Sequence, residues 1–190
     1  MKRIIIALAI VFASTFSSYA QERAGGVRIG ATGFDLVYQH NITKNTFIEA
    51  NMGFDFGARN NSGLKFTGIY NMILARPAWT EMGSWALYAG AGASLGDVYD
   101  LVKYDFTGNN RNYADNGFML ALAFQAGVEF NFDFPLQLAI DIRPMLGLHI
   151  NDGQFRIPRT NETIKLERKA TIYNHGFLGL IPSISARYRF

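Results

Sequence analysis

Fifteen consecutive residues, Phe118 to Phe132, alternate without a break between two faces. Phe118, Leu120, Leu122, Phe124, Ala126, Val128, Phe130 and Phe132 form one; Met119, Ala121, Ala123, Gln125, Gly127, Glu129 and Asn131 form the other. Period two places successive side chains on opposite sides of an extended strand, whereas a helix would scatter them around its axis. The length is equally constraining. Strands of soluble sheets usually run to about five or six residues, while a strand that crosses a bilayer needs about nine to eleven plus any extension beyond it.

The same alternation recurs along the chain. It is seen in Phe34–Gln39, in Ile48–Phe56 with Glu49 and Asp55 on the second face, and in Leu64–Leu74 with Lys65, Thr67 and Asn71. Trp85–Leu95 carries Gly90, Gly92 and Ser94 on its second face, and Leu136–Ile142 carries Gln137 and Asp141, with Arg143 following in the same parity. Leu178–Phe190 closes the series, with Ile184, Ala186, Tyr188 and Phe190 opposed to Ser183, Ser185, Arg187 and Arg189. A soluble sandwich also alternates, so period alone leaves that reading open. The composition of the second face favours a barrel: Gly and Ala sit beside Glu129, Asp141 and Arg143, as in a narrow lumen where small residues make room for charged ones.

The first twenty residues read as an export signal. Lys2 and Arg3 precede an apolar stretch, Ile4–Ala13, too short to span a bilayer, and Ser18-Tyr19-Ala20 supplies the small residues a signal peptidase requires. Cleavage is expected between Ala20 and Gln21, with an uncleaved anchor as the alternative, leaving a single domain over 21–190. Without Lys2 and Arg3 the balance is 16 basic against 15 acidic residues, which offers no electrostatic basis for nucleic-acid binding. There is no Cys, hence neither a disulfide nor a thiolate metal site. No apolar run beyond the signal is long enough for a transmembrane helix.

Link lengths set the topology. The links at 42–45, 76–84 and 133–135 are short and those at 100–116 and 151–175 long, and bacterial outer-membrane barrels keep short turns in the periplasm and long loops outside. Placing the C-terminus in the periplasm and counting backward requires one more strand before Phe34. Val27-Arg28-Ile29-Gly30-Ala31 supplies it, with Thr32-Gly33 as the turn. The expectation is an all-β, eight-stranded, antiparallel up-and-down transmembrane barrel whose first two strands are short. Tyr38, Trp79, Trp85, Tyr188 and Phe190 would ring its periplasmic rim, and Tyr99, Tyr104, Tyr113 and Tyr173 its outer rim.

The closing Ser185-Ala186-Arg187-Tyr188-Arg189-Phe190 resembles the terminal strand of small outer-membrane barrels of the OmpA/OmpX type, with aromatic rings at the last and third-last positions. The resemblance extends to Tyr88-Ala89-Gly90-Ala91-Gly92 and to Gly127–Phe130 running into Pro135-Leu136, and covers essentially the whole mature chain. The first loop is shorter than that of OmpX-like proteins. The resemblance implies a location in the outer membrane, in contact with its lipid and lipopolysaccharide, and a role for Tyr188 and Phe190 as the signal read by the barrel-assembly machinery. It implies nothing specific about activity.

Motifs for catalysis are sparse. Gly92-Ala93-Ser94-Leu95-Gly96 matches the G-x-S-x-G elbow, but that motif needs a strand–turn–helix context and here lies inside a strand. His40 has outward parity near the end of the second strand. His149 has lumen parity, and His175 is expected at the start of the eighth strand, where the two could meet at the outer rim. A rim-active lipid-modifying hydrolase is therefore the alternative to a non-enzymatic barrel, and a small pore the third option. No catalytic, cofactor or metal residues are assigned.

By parity, Arg28, Asp35, Glu49, Asp55, Lys65, Glu129, Asp141, Arg143, Arg187 and Arg189 point inward. A lumen of eight strands holds little beyond its own side chains, so such charges must pair. Glu129, Asp141, Arg143 and Arg187 are the expected members of an acid–base plug, with Asp141–Arg187 as one pair. The role expected is structural or adhesive, exercised by a monomer through loops 100–116 and 151–175. The alternation around Ile164-Lys165-Leu166-Glu167 suggests a hairpin whose edge could pair with an extracellular protein or glycan partner.

Overall fold

The structure, a computed structural model, describes residues 23–31, 33–56, 62–106, 109–151, 154–156, 163–165 and 168–190. The expected signal segment and its Ala20–Gln21 junction lie outside the described residues.

The chain folds into a closed, eight-stranded antiparallel barrel. Strands β1 (Arg23–Gly30), β2 (Gly33–Thr43), β3 (Thr46–Phe56), β4 (Ser62–Ala75), β5 (Ser84–Phe106) and β6 (Asn109–Asn131) pair in chain order. The seventh barrel strand is split into β7 (Leu136–Ile142) and β8 (Met145–Asn151), which follow one another along β6, with Gly127 opposite Asp141 and Ala121 opposite Gly147. A small separate hairpin, β9 (Gln154–Arg156) and β10 (Thr163–Lys165), interrupts the chain before β11 (Ala170–Ile172) returns along β8. Last comes β12 (Ser183–Arg189), which pairs with β7 on one side and with β1 on the other and so closes the ring. The short links fall at 44–45, 76–83 and 132–135, in keeping with the turn chemistry of those segments.

The last two barrel strands break at the same level, and the cause is local. Pro144 has no N–H to give to a ladder. Its carbonyl still accepts from Phe124 N–H at 3.0 Å, while Arg143 N–H turns to the carbonyl of Gly179 at 2.6 Å. Gly179 belongs to a 3-10 helix, His175–Leu180. This corrects the expectation that the last strand begins near Leu178: the strand starts at Ser183, after Pro182. A Cβ built on Gly179 would stand 1.7 Å from Arg143 O, so the helix can lie against the break because that position is glycine.

A second correction concerns residues 100–116. The described ones are strand: β5 runs on to Phe106 and β6 starts at Asn109, in register throughout. Pairing of β4 to β5 ends at Leu64–Asp97, and that of β8 to β6 at Asn151–Gly117. Beyond that level, among the described residues, the β5–β6 hairpin continues without a further ladder partner, by roughly 30 Å at about 3.3 Å per residue. Its base is packed at Val98–Asp100 against His149 and the start of the 3-10 helix. Ladder hydrogen bonds use backbone groups, so the Asn and Asp residues of this stretch do not end the strands. The hairpin suggested by the pattern around Ile164 forms as β9–β10, with Ile164 opposite Phe155, but as a sheet of its own and not as a continuation of the barrel wall.

The barrel is apolar outside and polar within. Ile29, Phe66, Leu122, Ile140 and Ile184 are exposed, whereas Arg28, Glu49, Gln125, Asp141 and Arg187 are buried. Among the described residues, buried polar and charged side chains outnumber buried apolar ones, the reverse of a soluble core.

Candidate functional site

The interior of the barrel is where the sequence concentrates chemistry, and strand parity delivers it there. Arg28 on β1 stands opposite Asp35 on β2, and both point inward. Glu49 points inward from β3, Glu129 from β6, Asp141 from β7 and Arg187 from β12, with Arg143 just past the end of β7. Three guanidinium groups and four carboxylates thus meet in one continuous network.

Arg28 bridges two acids, Asp141 at 2.8 Å and Asp35 at 3.1 Å. Arg143 links Asp35, at 3.3 Å, to Glu49. Arg187 reaches the other oxygen of Glu49 at 2.7 Å, donates to the Gln39 amide oxygen at 2.5 Å, and lies 3.9 Å from Glu129. Neutral amides take up remaining capacity: Asn51 donates to Glu49 at 3.1 Å, and Gln137 to Glu129 at 2.7 Å. Glu49 and Arg187 have no solvent exposure of their side chains. Buried charges of this kind persist only when paired and hydrogen-bonded, and removing one partner of such a set costs about 3–5 kcal/mol.

Glu129, Asp141, Arg143 and Arg187 all face this lumen, but the pairing differs from the sequence expectation. Asp141 is held by Arg28, and no Asp141–Arg187 bridge forms among the described residues. The hub is Glu49, which parity alone placed inside without giving it a partner. The signal for it was barrel closure: once β12 lies beside β1, the first three strands face the arginines of the last two.

The lumen is filled around this plug. Toward the 3-10 helix, a cavity lined by Arg28, Lys65, Arg143, Tyr173 and His175 measures about 10 Å³, the space of one water molecule. Ser94, the serine of the G-x-S-x-G match, is buried and shares a 2.7 Å hydrogen bond with Thr67. A Cβ on its neighbour Gly92 would lie 1.9 Å from Gly68 O, so the glycine stripe serves close packing on β4.

The histidines are placed differently from one another. His149 is buried, one ring nitrogen 3.1 Å from Val98 O. At His175 it is the backbone N–H that is held, by Asp100 at 3.0 Å. His40 faces outward and stacks on Tyr38 with ring centroids 6.4 Å apart. Among the described residues no group of three or more His, Asp or Glu side chains is placed to hold a metal ion.

The aromatic rims are unequal. Trp79, Trp85, Phe130, Phe132 and Phe134 form a chain of ring contacts with centroid distances from 4.6 to 5.2 Å at the end carrying the short links. Tyr38, Tyr188 and Phe190 are exposed at the same end. Tyr99 and Tyr173, expected in an outer girdle, are instead buried. The 3-10 helix side of the chain covers them: Asp100, next to Tyr99, accepts from Asn174 N–H at 2.7 Å. The side chains of Tyr104 and Tyr113 lie outside the described residues.

No family model matches the chain, and no curated protein matches it.

Proposed function

We propose that the protein is an integral outer-membrane barrel, exported by its N-terminal segment, with a plugged lumen and a non-enzymatic role in surface structure or binding. The observation that carries this reading is the inversion of the barrel: an apolar belt outside and a paired, charged interior. In water such a belt would be an aggregation surface; in lipid it is the surface required. Closure of the sheet supports the same reading, since it leaves no unpaired edge at membrane depth.

The ion-pair plug argues against conduction, and the tall β5–β6 hairpin offers the surface for a protein or glycan partner outside the cell. The exposed rings of Tyr188 and Phe190 are the proposed contact with the assembly machinery. The protein acts as a monomer, with lipid and lipopolysaccharide around the belt.

Fractionation of expressing cells tests the reading. The protein is expected with outer membranes, to migrate faster on gels before heating than after, and to give no conductance steps in planar bilayers. Recovery in the soluble periplasmic fraction would overturn the membrane assignment, and regular conductance steps would overturn the plug.

A further inference from the structure

The barrel is not plugged along its whole length. At the end carrying the short links, beyond the ion-pair network, lies a vestibule of about 200 Å³ lined by Gln39, Asn41, Arg76, Glu129, Gln137 and Arg189, among others. Its walls are mainly polar, and its charge is unbalanced. The Glu129 carboxylate is already engaged, accepting from Gln137 at 2.7 Å and Asn131 at 3.3 Å and facing Arg187 at 3.9 Å. Arg76 is attracted by that carboxylate at longer range, but neither Arg76 nor Arg189 forms an ion pair among the described residues. Arg76 donates to the carbonyl of Lys44, and Arg189 to those of Phe132 and Phe134, so both guanidinium groups are braced by neutral backbone acceptors. The Arg189 Nε–H is buried without an acceptor among the described residues. Arg23 also lines the vestibule, its backbone paired with that of Phe190.

We propose that this vestibule is a binding site for a small oxyanion, a phosphate or carboxylate group, held between Arg76 and Arg189 with the amide of Asn41, whose oxygen already accepts from Gln39, as a further donor. Guanidinium groups match both anions through paired N–H donors, and their bracing by carbonyls limits the ordering needed on binding. The volume admits a headgroup-sized anion and excludes a polymer. The site is independent of which way the barrel lies in a membrane.

The test uses the purified, folded protein in an uncharged detergent, titrated with sodium phosphate or sodium acetate while sodium chloride keeps ionic strength constant. Arginine Nε–H resonances and calorimetry are the readouts. The expected result is a saturable shift of the Arg189 signal, with the phosphate and acetate arms showing which oxyanion is preferred. Arg76→Gln is expected to weaken binding at least five-fold. Ser84→Glu, at an exposed position on the vestibule wall, is expected to abolish it by supplying a tethered carboxylate while removing none of the arginines. A linear, non-saturating response in both arms would overturn the proposal, as would saturable binding unchanged in both variants.

Discussion

Glu49 and Arg187 meet at 2.7 Å inside the barrel although 138 residues separate them in the chain. The same glutamate also takes Arg143 on its other oxygen. One carboxylate on β3 therefore ties together the two arginines of the last two barrel strands, and the lumen is cross-linked by charge where a soluble barrel would be filled by apolar side chains.

Replacement of Glu49 by Gln keeps its shape but leaves two buried guanidinium groups with one fewer acid. Destabilisation by about 3–5 kcal/mol is expected from urea unfolding in detergent or lipid. A change under 1 kcal/mol would mean that water reaches the network freely.

The pairing pattern can be resolved by double-mutant cycles. Arg28 and Asp141 share a direct bridge, so their coupling is expected at about 1–3 kcal/mol. Asp141 and Arg187 share no bridge and attract only at longer range, so their coupling is expected to be clearly smaller. Reversal of that order would restore the pairing suggested by sequence alone.

Leu122 lies at the middle of the apolar face of β6 and is 58 % exposed. Leu122→Arg is expected to destabilise the barrel in lipid bilayers by about 2–4 kcal/mol. The same change on a water-facing surface would cost almost nothing, so folding equilibria in lipid vesicles discriminate the two environments.

Gly179→Ala would force a methyl group against the carbonyl of Arg143 at the break in the seventh barrel strand. A loss of about 1–3 kcal/mol is expected from the displaced backbone. Gly68→Ala is the control: a Cβ there meets nothing within 4 Å, so stability should change little.

Much of the barrel is legible in the sequence because parity is a local property. The fifteen-residue alternation of Phe118–Phe132, the short links and the inward set from Arg28 to Arg187 follow from period two and turn chemistry alone. The two misread segments share a reason. Leu178 and Leu180 alternate like strand residues but sit in a 3-10 helix, because a proline on a different strand removed the ladder they would have joined. Residues 100–106 and 109–116 carry turn-forming side chains yet stay in strands, because pairing between β5 and β6 is made by backbone groups.

The sequence by itself determined that the chain is built of two-faced β-strands, since the sorting of residues between two faces needs no knowledge of neighbours. Only the tertiary structure decided who pairs with whom. Closing β12 on β1 brings the first and last strands of the barrel together, and the partners of Glu49, the absence of an Asp141–Arg187 bridge among the described residues and the gathering of Arg23 and Arg189 at the vestibule follow from that contact. Ion pairs are set by distances of a few ångströms across the lumen, and parity along a strand does not encode them.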